Sequence, residues 1–279
     1  MAIKSSKNIG IIALISILSI MSFNNIQAQQ RTVKIALAQI FCLDGDRSGN
    51  FARIENALSE AKEQEAEIVC FPETSILGWV NPDAHERAFP IPGEDSERLC
   101  QLARENNVFL CAGLAEKEGE KLFDSVILID NKGNIILKHR KINTLDELME
   151  RPYTSGTSVN TVDTKFGKIG MLICADSFKE EILDQMKELK PDMVLIPYGW
   201  AAAEDSWPEH AKQLSRTVTN AAKVIGCPIV GTDLIGQISH GPWKELVYGG
   251  ASLVSDKNGN ILGLGKDRDR DVLIVKVEL

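Results

Sequence analysis

Apolar positions along the chain follow two rhythms. Short runs rich in β-branched residues occupy 33–38, 68–71, 108–112, 125–129, 168–173, 194–196, 228–231 and 272–277. Runs of this length bounded by polar or turn-forming residues predict strands. Elsewhere the apolar positions recur three or four apart. Phe51, Ile54, Leu58 and Ala61 do so, as do Leu99, Leu102 and Ala103; Ile182, Leu183, Met186 and Leu189; and Leu214, Val218, Ala221 and Ile225. That spacing lines one face of a helix and predicts four of them. Asn131-Lys132-Gly133-Asn134 and Lys257-Asn258-Gly259-Asn260 lie between apolar runs and predict hairpin turns. The pattern describes a mixed α/β chain with antiparallel strand pairs, not a purely parallel doubly wound sheet. No repeat, long linker or low-complexity segment divides it.

The first 28 residues break that rhythm. Lys4 and Lys7 precede an apolar run over 9–21, a polar stretch over 22–27 and then Ala28-Gln29-Gln30. Basic, apolar and small-residue segments in that order read as a secretory signal peptide. The apolar run is shorter than the roughly 20 residues that cross a bilayer. The expectation is a cleaved signal peptide at 1–28, a single domain at 29–279 and an exported protein with no membrane attachment after cleavage.

Charge narrows the partners. The net charge of −8 becomes about −10 once Lys4 and Lys7 leave, with 29 basic residues against 39 acidic. A mixed but acidic surface argues against nucleic acid as a partner. The six cysteines are Cys42, Cys70, Cys100, Cys111, Cys174 and Cys227, mostly within apolar runs. A chain of this size needs no staples, and buried free cysteine behaves as a small hydrophobe, so free thiols are expected. An oxidising compartment would nevertheless threaten any reactive thiol among them.

Three segments carry reactive side chains just beyond strands. Val69-Cys70-Phe71-Pro72-Glu73 ends a strand with proline and presents a carboxylate. Lys138-His139-Arg140-Lys141 follows the apolar residues 135–137. Gly170-Met171-Leu172-Ile173-Cys174-Ala175-Asp176 delivers a thiol at the end of an apolar run. Taken singly, each has a plainer reading: a solvated turn, an exposed basic patch, a buried inert cysteine. A carboxylate, an ammonium and a thiol converging at strand ends would instead form a reactive crevice.

Together these segments resemble the nitrilase, or carbon–nitrogen hydrolase, superfamily, whose members carry Glu, Lys and Cys in this order. Further matches are Ala38-Gln39, Thr74-Ser75-Ile76-Leu77-Gly78-Trp79, Gly156, Pro197-Tyr198-Gly199-Trp200, and Gly250-Ala251-Ser252 followed by Asp256-Lys257-Asn258-Gly259. The resemblance covers roughly residues 33–277. It implies a four-layer α-β-β-α sandwich and a homodimer or higher homo-oligomer. The implied activity is cleavage of a non-peptide C–N bond in a small carboxamide or N-carbamoyl compound, with no cofactor and no metal.

The roles follow from the chemistry. A thiol is mostly protonated at neutral pH, so Cys174 needs a base, and Glu73 is the candidate. Attack on a carbonyl or nitrile carbon builds negative charge, which Lys141 and the Ala175 N–H are expected to stabilise. A thioester on Cys174 would then be hydrolysed. Glu150 falls where many relatives have a second glutamate that fixes the lysine, with Glu147 close enough to compete. Trp79, Tyr198 and Trp200 are candidate pocket walls, though each fits plain packing equally well. His139 and His210 read as structural.

Two departures stand out. Cys174-Ala175-Asp176 has a small residue after the thiol and no proline downstream, and Arg216-Thr217-Val218-Thr219-Asn220 lacks the acid many relatives carry at the position of Thr219. Nitrile hydrolysis, acyl transfer and a retired, purely binding scaffold remain open. A cysteine–histidine protease, a metal centre and a phosphate loop find no matching motif.

Overall fold

In the computed structural model, which describes residues 31–279, the first strand already shows how the layers arise. Side chains alternate across β1 (Thr32–Gln39). Val33, Ile35 and Leu37 enter one core cluster, while Ala36 and Ala38 enter the other. A strand with two buried faces belongs inside a stack. The second cluster joins this outer face to Phe51, Ile54 and Leu58 of helix α1 (Arg47–Glu63). The first joins the inner face to Ile169, Met171 and Leu195 of another sheet.

The first half of the chain continues with β2 (Ile68–Cys70), α2 (Ala84–Arg87), α3 (Glu94–Asn106), β3 (Phe109–Glu118), β4 (Lys121–Ile129) and β5 (Ile135–Arg140). The second half contains β6 (Thr161–Thr164), β7 (Gly167–Met171), α4 (Glu180–Glu188), β8 (Met193–Tyr198), β9 (Ala201–Ala202), α5 (Glu209–Ile225) and β10 (Ile229–Asp233). It ends with β11 (Ile235–Gln237), β12 (Val247–Gly249), β13 (Leu253–Ser255), β14 (Ile261–Leu264) and β15 (Asp271–Glu278).

One six-stranded sheet runs β15-β1-β2-β3-β4-β5 and the other β14-β13-β10-β8-β7-β6. Each has three parallel strands at its centre: β1, β2 and β3 in one, and β7, β8 and β10 in the other. Antiparallel pairs flank them, as the two hairpin signals predict. Helices α1 and α3 cover the first sheet, and α4 and α5 the second. The layer order is α-β-β-α. Each predicted helix buries its apolar stripe: α5, for example, buries Leu214, Val218, Ala221 and Ile225.

Three features were not expected. Strands β3 and β4 run well past the predicted runs and meet at a turn through Gly119. A small sheet, β11-β12-β9, has no clear apolar run behind it. The strand expected over 168–173 stops at Met171, because the chain turns into a short 3₁₀ helix, Cys174–Phe178, with Cys174 at φ 38°. The expected signal peptide lies outside the described residues. Among those described, no helix is long and apolar enough to cross a membrane, and all six cysteines are free.

Candidate active site

Glu73 follows β2, and its loop is clamped from both sides. Gly113 N–H on β3 donates to Pro72 O at 3.1 Å, and Ser75 N–H donates back to Gly113 O at 3.0 Å. The approach is so close that a Cβ on Gly113 would lie 2.7 Å from Glu73 Cα, so only glycine fits. Glu73 N–H reaches the other sheet, donating to Tyr198 O at 3.3 Å. Lys141 follows β5, and its backbone N–H donates to Asp124 O at 2.8 Å. Cys174 caps the shortened β7. Ser177 Oγ donates to Cys174 O at 2.6 Å and also meets Tyr198 Oη at 3.0 Å.

Asp176 joins the lysine and cysteine loops. Its Oδ1 accepts the N–H groups of Ile142 and Asn143 at 2.9 and 2.8 Å. Its Oδ2 accepts Ile173 N–H at 3.0 Å and lies 2.8 Å from His139 Nε2. His139 is therefore a buried structural side chain whose partner positions the nucleophile loop.

The three predicted side chains converge, and all are buried. Lys141 Nζ donates to Glu73 Oε1 and lies 3.3 Å from Asp124 Oδ2. Glu73 Oε2 is buried without a hydrogen-bond partner among the described residues. Both charges act on the Cys174 thiol. Burial pushes that thiol well above its ordinary range and the Glu73 charge adds to this, while Lys141 and the backbone N–H of Gly199 oppose it. The resting sulfur is consequently protonated. Burial alone would lower the Lys141 ammonium, but Glu73, Asp124 and Cys174 outweigh it and hold the ammonium well above the usual lysine range.

Asp124 was not foreseen. It sits one residue before the predicted run 125–129, where a charged residue reads as a solvated strand end. Burial, then the Glu73 charge, pushes its carboxyl well above the usual range despite Lys141. The folded protein thus holds a proton that an unfolded aspartate releases above about pH 3.9. This contribution is fully present below that pH and is lost as pH rises through the higher folded value. Asp124→Asn is expected to remove this slope. Urea unfolding at pH 5 and pH 8 should find the variant gaining on the wild type by up to about 1.4 kcal/mol per pH unit while the native proton is retained. Parallel pH dependences would refute this assignment.

The other predicted residues spread out. Ala175 is second in the 3₁₀ helix, where a backbone N–H has no intrahelical acceptor. Trp79 is buried with its ring 5.2 Å from Lys141 Nζ, so it packs on the cation. Tyr198 is fully buried behind the cysteine loop. Trp200 is half-buried, edge-on to Phe178 and stacked on His210 at 5.2 Å. Glu147 and Glu150 are exposed. Glu150 lines a cavity of about 150 Å³ with Val80, Leu122, Tyr153 and Pro242. Among the described residues, the carboxyl groups on Lys141 are those of Glu73 and Asp124, and Glu150 and Glu147 do not reach it. No group of three or more His, Cys, Asp or Glu among the described residues is arranged to hold a metal ion.

Known proteins share this chain's sequence pattern and fold. The carbon–nitrogen hydrolase family profile matches residues 34–279. A nitrilase of Pyrococcus abyssi is 26% identical over 254 residues, covering 88% of this chain and 90% of that one. An omega-amidase of Xenopus tropicalis is 30% identical over 231 residues, covering 77% and 83%. The crystal structure of an amidase from Nesterenkonia sp. has the same fold, with a TM-score of 0.77 at 22% identity over 88% of this chain and 90% of that one.

Proposed function

The chain belongs to the carbon–nitrogen hydrolase family, and on that premise we propose that it hydrolyses small carboxamides or N-carbamoyl compounds through a thioester on Cys174. One observation carries this reading: a buried carboxylate with one oxygen on an ammonium and the other unbonded, both acting on one protonated thiol. The amidases among the relatives and solved structures support amides as the substrate class.

The steps follow from the side chains. As Cys174 Sγ attacks the amide carbon, its proton passes to Glu73 Oε2 and the carbonyl π pair moves onto oxygen. Lys141 Nζ and the Ala175 N–H stabilise that oxygen, a contribution worth on the order of 2.7–4 kcal/mol per preorganised donor. Protonated Glu73 gives its proton to the leaving nitrogen as the C–N bond breaks, and ammonia or an amine departs. Water then attacks the thioester, losing a proton to Glu73. The acid leaves as the C–S bond breaks, and the proton returns to sulfur. The Lys141–Glu73 bond keeps the acid–base group facing the same point through both halves.

The test is an ammonia-release screen over carboxamides, N-carbamoyl compounds and nitriles, run beside Cys174→Ala. Mass spectrometry of the best hit should trap an acyl adduct on the Cys174 peptide. A Cys174→Ala enzyme with full turnover would end this reading.

Residues 1–28 are proposed to direct export. N-terminal sequencing of the processed protein is then expected to begin at Gln29. Assembly as a homodimer or higher homo-oligomer is part of the same proposal and is read by sedimentation.

A further inference from the structure

One turn, residues 198–200, touches the base segment, the nucleophile loop and the end of β10. Tyr198 O accepts Glu73 N–H at 3.3 Å. Tyr198 Oη meets Ser177 Oγ at 3.0 Å, and Ser177 Oγ donates to Cys174 O at 2.6 Å, so the turn also braces the nucleophile loop. Trp200 N–H donates to Asp233 Oδ1 at 2.7 Å. Gly199 also lies against the base, because a Cβ there would sit 3.0 Å from Glu73 Oε2 and 3.4 Å from the Tyr248 ring. The turn has no room to drift without disturbing both base and nucleophile.

Asp233 ends β10 and pairs in register with Tyr198 at the end of β8. It is fully buried, and its Oδ2 has no hydrogen-bond partner among the described residues. Its own N–H donates to Ser252 Oγ at 2.9 Å, and Ser252 N–H donates to Gln39 Oε1 at 2.9 Å. The backbone beneath it is therefore tied to the first sheet. A carboxyl buried so completely is costly, and the mechanism above does not use it. Burial, with a contribution from the Glu73 charge, pushes it well above the usual carboxylate range despite the backbone N–H groups of Trp200, Leu234 and Gly250. Its neutral form offers an acceptor at Oδ1. The titratable groups around it are Glu73, Cys174, Tyr198 and Tyr248.

We propose that Asp233 is a positioning residue for the nucleophile: by accepting Trp200 N–H it holds the 198–200 turn against the Glu73 carboxylate and, through Tyr198 Oη on Ser177 Oγ, against the Cys174 loop. This rests on Cys174 being the nucleophile. Asp233 acts through hydrogen-bond acceptance rather than charge, so an amide oxygen at the same place should serve as well.

The experiment compares wild type, Asp233→Asn, Asp233→Ala and Cys174→Ala as full-length folded proteins. The alkylation rate of the Cys174 peptide by iodoacetamide is followed against pH by mass spectrometry, beside kcat and KM on the best amide. Asp233→Ala should move the alkylation profile up by about one pH unit and lower kcat about tenfold or more, with KM changed by less than about threefold. Asp233→Asn should restore the profile and kcat to within about threefold of wild type. An Asp233→Ala profile that overlies wild type overturns the proposal. So does a folded Asp233→Asn protein with impaired alkylation, which decides the matter even if the alanine variant fails to fold. Failure of the underlying reading shows separately, as turnover retained by Cys174→Ala.

Discussion

Lys141→Met is expected to lower kcat by roughly a hundred- to a thousandfold and to destabilise the fold in the same experiment. The ammonium has two tasks. It donates to Glu73 Oε1, fixing the base, and it is the charged group available to a developing oxyanion. It also compensates the fully buried Glu73 carboxylate and lies 3.3 Å from the buried Asp124 carboxyl. Removing one member of a buried ion pair typically costs about 3–5 kcal/mol, because the remaining charge has no partner. Methionine fills most of the volume, so the loss reports electrostatics and not a cavity. Steady-state kinetics and urea unfolding read the two effects independently. A variant with more than a tenth of wild-type kcat would remove Lys141 from the mechanism.

Glu73→Gln should cost a comparable amount in rate and much less in stability. Glutamine keeps the shape and can still accept from Lys141, but it cannot carry the proton. Because burial and the neighbouring carboxylate keep Cys174 protonated at rest, every turnover requires a base to receive that proton. The alternative, a preformed thiolate paired with a cation, would tolerate the substitution. General base catalysis is worth about 10²–10⁴ in rate, and both half-reactions depend on this one group. The expected result is kcat down by about that factor with KM little changed. Iodoacetamide should still label Cys174 in the variant, which shows the pocket intact. Turnover above a tenth of wild type would assign the base elsewhere.

Much of this was legible along the chain, because local burial periodicity depends on near neighbours. Phe51, Ile54 and Leu58 mark α1, and the residues 33–38 mark β1, wherever those elements finally pack. The hairpins at 131–134 and 257–260 are equally local. Glu73, Lys141 and Cys174 could be nominated because each ends a strand within a recognisable segment. The nomination named the groups but not what surrounds them.

What the chain alone determined is most of the element types, the rough limits of the main helices, and three candidate side chains for the site. Tertiary structure decided which carboxyl meets the ammonium. Asp124 is 17 residues from Lys141, and Glu73 is 68 away. Glu150, nine positions downstream, looked the nearer partner and is exposed. Separation in sequence says little about distance here, since β4 and β5 lie side by side while most of residues 146–152 are exposed. The same holds for Asp233, which reads as an ordinary strand end until β10 settles beside β8 and seals its carboxyl away from water. Burial at a sheet junction is a property of both sheets together, and no single segment encodes it.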